Sequence, residues 1–125
     1  MKPPLSTIFR LTLAAYWLAL AVVTHLPPAE IPKTNVSDKV AHLGAYFLLG
    51  LLLCLAVRSR SSAVILVLGI VMLYGAVDEL TQTLVGRSCE LADWCADVAG
   101  GALAVVLFDL ARRFLRREKS VESHP

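Results

Sequence analysis

The sequence predicts an all-α integral membrane bundle of four transmembrane helices, and three observations carry that expectation. First, the 125 residues are 57% hydrophobic and only 18% charged, more apolar than a soluble core requires. Second, the apolar residues fall into four runs of nearly the length, about 20 residues, that a helix needs to cross a hydrocarbon core. Third, the charges lie between those runs and at the C-terminus, whereas a soluble bundle needs a polar stripe repeating about every 3.6 residues along each helix. Residues 40–57 contain His42 as the only readily ionisable group apart from Cys54 and Tyr46, and residues 63–77 contain no acid or base.

The first helix is expected over residues 11–26, after Lys2 and Arg10 and before Pro27-Pro28, which cannot extend it. A basic start and an apolar core also suit a signal peptide, but no A-x-A-type site follows, so a retained anchor is expected. Residues 27–37 read as a proline-bearing loop leading to an N-cap at Ser37 or Asp38. The second helix runs to about Val57. The pentad Arg58-Ser59-Arg60-Ser61-Ser62 is too short to hold a domain, so helices two and three should be antiparallel neighbours. Helix three starts near Ala63, stays apolar to Val77, and turns polar at Asp78-Glu79, with Gln82 one turn on and Gly86-Arg87 as its stop. Helix four is expected from about Asp93 to about Leu110, followed by Arg112, Arg113, Arg116, Arg117 and Lys119. Residues 1–119 then form one membrane domain, and residues 120–125 a disordered tail.

Lysine and arginine set the orientation, because basic loops are retained in the cytoplasm. One side holds Lys2, Arg10, Arg58, Arg60 and the five basic residues after helix four, and the other holds Lys33, Lys39 and Arg87. Nine against three predicts both termini in the cytoplasm. A net charge of only +2, with no basic stripe, gives nucleic-acid binding no support. Cys54, Cys89 and Cys95 lack zinc-ligand spacing. Cys89 and Cys95 lie close enough in sequence for a disulfide, were that side oxidising. Asp109 should pair with Arg112 or Arg113, and Trp94, at the boundary of its helix, reads as an interfacial anchor.

With this topology the start of helix two, the end of helix three and the start of helix four share the outer interface, and the polar residues occupy those ends. Asp38, His42 and Tyr46 stand at i, i+4 and i+8 on one face of helix two, flanked by Lys39. Asp78, Glu79 and Gln82 mark helix three, with Arg87 beyond, and Asp93 and Asp97 lie one turn apart on helix four. Gly100, Gly101 and Ala104 continue that face as a small-residue strip where another helix can approach closely. Burying charged His42, Glu79 or Asp97 costs on the order of 2–3 kcal/mol each unless it is paired, protonated or wetted. A clasp joining the three helices would need two or three such groups; the surplus points to a hydrated pocket. Lys39 and Arg87 suit a phosphate or carboxylate. A metal on His42, Glu79, Asp93 and Asp97 is chemically possible, but spacing across separate helices is not diagnostic, and no metal or cofactor is assigned.

These residues, Asp38-Lys39-x-x-His42-x-x-x-Tyr46, Asp78-Glu79-x-x-Gln82 with Gly86-Arg87, and Asp93-x-x-x-Asp97-x-x-Gly100, resemble in order and spacing the VanZ-like family. The likeness covers residues 37–107; helix one matches only as a generic span. This chain has Asp97 where the family often has asparagine, and Val85 where many members have proline. The resemblance implies a multi-pass protein of the bacterial inner membrane and cell envelope. The family's founding type is linked to teicoplanin resistance, but the resemblance carries over the architecture and the polar residues, not that phenotype.

Three functions are therefore open. The first is binding of an anionic lipid or lipid-linked envelope precursor at the outer-face pocket, with Lys39 and Arg87 on the headgroup. The second is a membrane-embedded hydrolase or transferase using His42 or Glu79 as general base and Arg87 on an anionic transition state; Ser88 and Cys89 lack a nucleophile motif. The third is an assembly factor docking a partner helix on the small-residue strip. The sequence leaves the oligomeric state unassigned.

Overall fold

The computed structural model describes residues 5–31, 35–57 and 61–122. They form helices α1 (Leu5–Thr24), α2 (Asp38–Val57), α3 (Ser61–Gln82) and α4 (Leu91–Glu122), with no strand among the described residues. By length and composition each is able to cross a membrane. The chain thus has the four-helix, multi-pass architecture that its apolar runs imply.

Local chemistry sets the boundaries. Helix α1 begins before Arg10, since one arginine near a helix end can lay its stem along apolar surface while its head reaches water. It closes with tight turns, His25 N–H to Val22 O and Leu26 N–H to Val23 O, just ahead of Pro27. Ser37 caps α2: its carbonyl accepts the Val40 and Ala41 N–H groups, and its Oγ lies 3.4 Å from Val40 N. After α3 a 3-10 turn, Thr83–Val85, ends at Gly86, whose φ of 80° is the left-handed conformation that glycine adopts without strain. Helix α4 starts two residues before Asp93 and runs past Leu110 to Glu122, three residues into the segment expected to be a tail. Its last turns are rich in alanine, leucine and arginine, which are strong helix formers, and Asp109 accepts from Arg113 Nε one turn on at 2.7 Å. Residues 58–60, in the expected polar connection, and 123–125, in the expected tail, lie outside the described residues.

Helix α2 is the hub. It packs most extensively on α4 and also touches α1 and α3. The buried core runs along it, from Tyr46 through Leu49 to Leu53 and Cys54, against Leu20, Val67, Val71 and Val105. Helix α1 is tied on by Tyr16, whose hydroxyl donates to Ala45 O at 2.8 Å, and by Trp17, edge-on to Tyr74. Many other apolar side chains, including Leu18, Ile65, Leu73, Leu80 and Leu103, are exposed, an inside-out distribution that suits a lipid surround.

The small-residue strip seals α4 into the bundle. Gly100 lies on the α2 backbone at Leu43 and Phe47, Gly101 faces Val71 of α3, and Ala104 is fully buried beside Gly50. Within the chain, α2 and α3 cover this strip.

Candidate functional site

The polar residues of all four helices meet at one end of the bundle. Periodicity explains the meeting: positions 38, 42 and 46 share a face of α2, 78, 79 and 82 the last turns of α3, and 93 and 97 the first turns of α4. The close α2–α4 contact at Gly100 draws these faces together. His42, Asp78, Glu79, Gln82, Asp93 and Asp97 are all buried, as is Tyr46.

Asp78 gathers one network. Its Oδ1 accepts from the Thr24 hydroxyl at 2.7 Å, and its Oδ2 accepts from the Tyr46 hydroxyl and from Gln82 Nε2, both at 3.1 Å. His25 Nδ1 lies 3.7 Å from the same carboxylate, and His25 Nε2 is 2.9 Å from Thr81 Oγ1. One side chain thereby joins α1, α2 and α3.

His42 gathers the second. Its Nδ1 is 2.9 Å from Asp97 Oδ1 and 3.8 Å from Glu79 Oε1. Glu79 Oε2 accepts the Glu90 backbone N–H at 2.9 Å, which seats that carboxylate at the amino end of α4, where peptide N–H groups favour negative charge. Glu79 Oε1 and Asp97 Oδ2 are buried without a hydrogen-bond partner. His42, Glu79 and Asp97 each present a ligand atom within 4.8 Å of the other two, a spacing able to hold a metal ion.

The two cations flank these networks on different sides. Lys39 turns to α4, 3.1 Å from Asp93 and 3.2 Å from Glu90. Arg87 turns to α1, donating to Thr24 O at 3.2 Å, with Asp38 Oδ2 at 3.6 Å. Lys39 and Arg87 are thus paired with different groups, and of the two only Arg87 lines the cleft between α1 and α2. That cleft, about 210 Å³, is walled by Leu20, Val23, Leu26 and Ala45, with Thr24, His42 and Arg87 at its polar end.

Sequence reasoning missed Thr24, His25, Thr81 and Glu90. Helix one passed as a generic span, although Thr24-His25 just before Pro27-Pro28 is a polar pair at the same end as the other polar residues. Trp94, read as an interfacial anchor, lies in the first turn of α4, partly exposed, with its indole N–H donating to Met72 O at 3.0 Å. The indole N–H finds its acceptor on the α3 backbone, and the lack of a side chain at Gly75 leaves room for the ring. Cys89 and Cys95 are exposed free thiols.

A family model described as VanZ/LLP1 matches residues 4–112. No curated protein and no solved structure matches the chain. The family match takes in every residue of this site, from Thr24 to Asp97, and the chain belongs to the VanZ/LLP1 family.

Proposed function

We propose that this protein binds an anionic lipid, or a lipid-linked envelope precursor, in the cleft between α1 and α2, at the outer face of a bacterial inner membrane. The observation that carries the reading is the cleft itself: an apolar wall beside a guanidinium, with Arg87 the one lysine or arginine among its lining residues and exposed Asp38, 3.6 Å from it, the partner an anionic headgroup would displace. An acyl chain would lie on Leu20, Val23, Leu26 and Ala45 while the headgroup meets Arg87, which can grip a phosphate through two parallel hydrogen bonds. Thr24 and His42 at the same end offer further hydrogen bonds. The excess of lysine and arginine at the opposite ends of the helices supports the outward orientation in this reading.

The buried His42–Asp97 contact favours a second reading, a hydrolase or transferase acting on the same lipid. A carboxylate that holds Nδ1 orients the imidazole so that its other nitrogen can act as general base.

One experiment addresses both. Lipids co-purifying with the detergent-solubilised wild type, Arg87→Ala and Arg87→Lys are identified by mass. Losing a charge-assisted hydrogen bond of about 1.5–3 kcal/mol should lower anionic-lipid retention roughly tenfold or more in Arg87→Ala, with partial recovery in Arg87→Lys. Equal retention in all three would contradict the binding reading. A chemically altered lipid held by the wild type but intact in His42→Ala would establish the second.

A further inference from the structure

We propose that His42, Glu79 and Asp97 form a binding site for a divalent transition-metal ion of the Zn2+ class. The site stands whether or not a lipid occupies the neighbouring cleft.

Geometry is the first ground. Ligand atoms held tetrahedrally by one ion at about 2.1 Å lie roughly 3.4 Å apart. His42 Nδ1 is 2.9 Å from Asp97 Oδ1 and 3.8 Å from Glu79 Oε1, distances on either side of that value. Three helices supply the three ligands, α2, α3 and α4, and each ligand is fixed by its own helix. An ion entering here takes the place of the proton between Nδ1 and Oδ1, which leaves the imidazole and both carboxylates in the forms that bind metal.

The second ground is independent of the spacing. Glu79 and Asp97 are 3% and 0% exposed, yet Glu79 Oε1 and Asp97 Oδ2 lack any hydrogen-bond partner. A carboxylate oxygen buried without a donor is costly, and such orphans are few in folded proteins. Glu79 Oε1 lies 3.8 Å from His42 Nδ1, in the cluster whose three ligand atoms lie within 4.8 Å of one another.

Charge is the third. Lys39 is engaged by Asp93 and Glu90, and Arg87 by Asp38. Among the described residues, His42 is the sole ion-pair partner of Glu79 and Asp97. When both are ionised, two carboxylates facing one imidazole in a low-dielectric bundle carry a negative excess that a divalent ion removes. The imidazole ligand selects Zn2+ over Mg2+ or Ca2+, which prefer all-oxygen shells. Asp93 belongs to a second group with Asp38 and His42, but Lys39 pairs with Asp93 and Asp38 is exposed, so that group competes poorly.

The test uses the full chain, purified in detergent through a tag free of histidine, stripped with chelator and titrated with Zn2+ or Co2+. About one Zn2+ per chain is expected, along with visible Co2+ absorption bands that Zn2+ abolishes and excess Mg2+ does not. Glu79→Gln and Asp97→Asn, which preserve shape, should each weaken Zn2+ binding at least about tenfold, while Asp109→Asn, at the other end of α4, leaves it unchanged. Failure of the unaltered chain to bind Zn2+ would overturn the proposal without any variant. So would undiminished binding in a folded Glu79→Gln protein, or displacement of Co2+ by Mg2+.

Discussion

Replacing Asp78 by alanine should destabilise the protein by about 3–5 kcal/mol, as expected when one member of a buried polar network is removed and the others stay buried. Asp78 is 1% exposed and accepts from Thr24, Tyr46 and Gln82. Without it three donors on three helices lose their shared acceptor, and each group left unsatisfied costs about 1–3 kcal/mol. The costs do not simply add, because Thr24 also donates to Leu20 O at 3.0 Å and can fall back on it. Asp78→Asn should be milder, since its amide oxygen still accepts one or two of these bonds. Reversible unfolding in mixed micelles measures the difference. A loss below about 1 kcal/mol in Asp78→Ala would mean that the network holds α1 and α3 together only weakly.

Gly100→Leu should prevent the folded protein from accumulating. A Cβ at this position would collide with the Leu43 carbonyl oxygen and stand 2.9 Å from Phe47 N. These are backbone atoms of α2 and cannot rotate aside as a side chain can. Overpacking commonly costs about 1–3 kcal/mol even where side chains can shift, and separating two backbones in contact removes much of the α2–α4 interface besides. The polar site is lost with it, because the same contact brings His42 to Asp97. Gly101→Ala should be gentler, since the Val71 methyl groups it meets, the nearest at 2.7 Å, belong to a side chain that can adjust. Size-exclusion chromatography and unfolding of the three proteins side by side check the order. A monodisperse, stable Gly100→Leu protein would contradict this packing.

The architecture was legible because it rests on composition. Four apolar runs separated by prolines, a polar pentad and a Gly-Arg stop leave little freedom in the order of helices, and in a bilayer an apolar run has no alternative to a helix except a closed barrel. The meeting of α2, α3 and α4 at one end was legible from the i, i+4 spacing of their polar residues. The contribution of α1 was not, because its only polar cue at that end is the Thr24-His25 pair, and a threonine in a membrane helix can satisfy itself on its own backbone, as Thr24 partly does at Leu20 O. The separate placement of Lys39 and Arg87 was also hidden. Both belong to the polar end, but their directions depend on rotations of α2 and of the loop after Gly86 that no periodicity encodes. The length of α4 was underestimated because a run of arginines reads equally as a solvated tail and as a helix with good helix formers.

The convergence of α2 and α4 on one buried polar centre is tested most directly by a double-mutant cycle on His42 and Asp97. Stabilities are measured for wild type, His42→Ala, Asp97→Ala and the double variant under one set of micelle conditions. The 2.9 Å contact between two buried side chains predicts a coupling of about 1–3 kcal/mol, with the double variant less destabilised than the sum of the singles. Effects that add to within about 0.5 kcal/mol would show that the two side chains do not meet, and the site built upon them would fall.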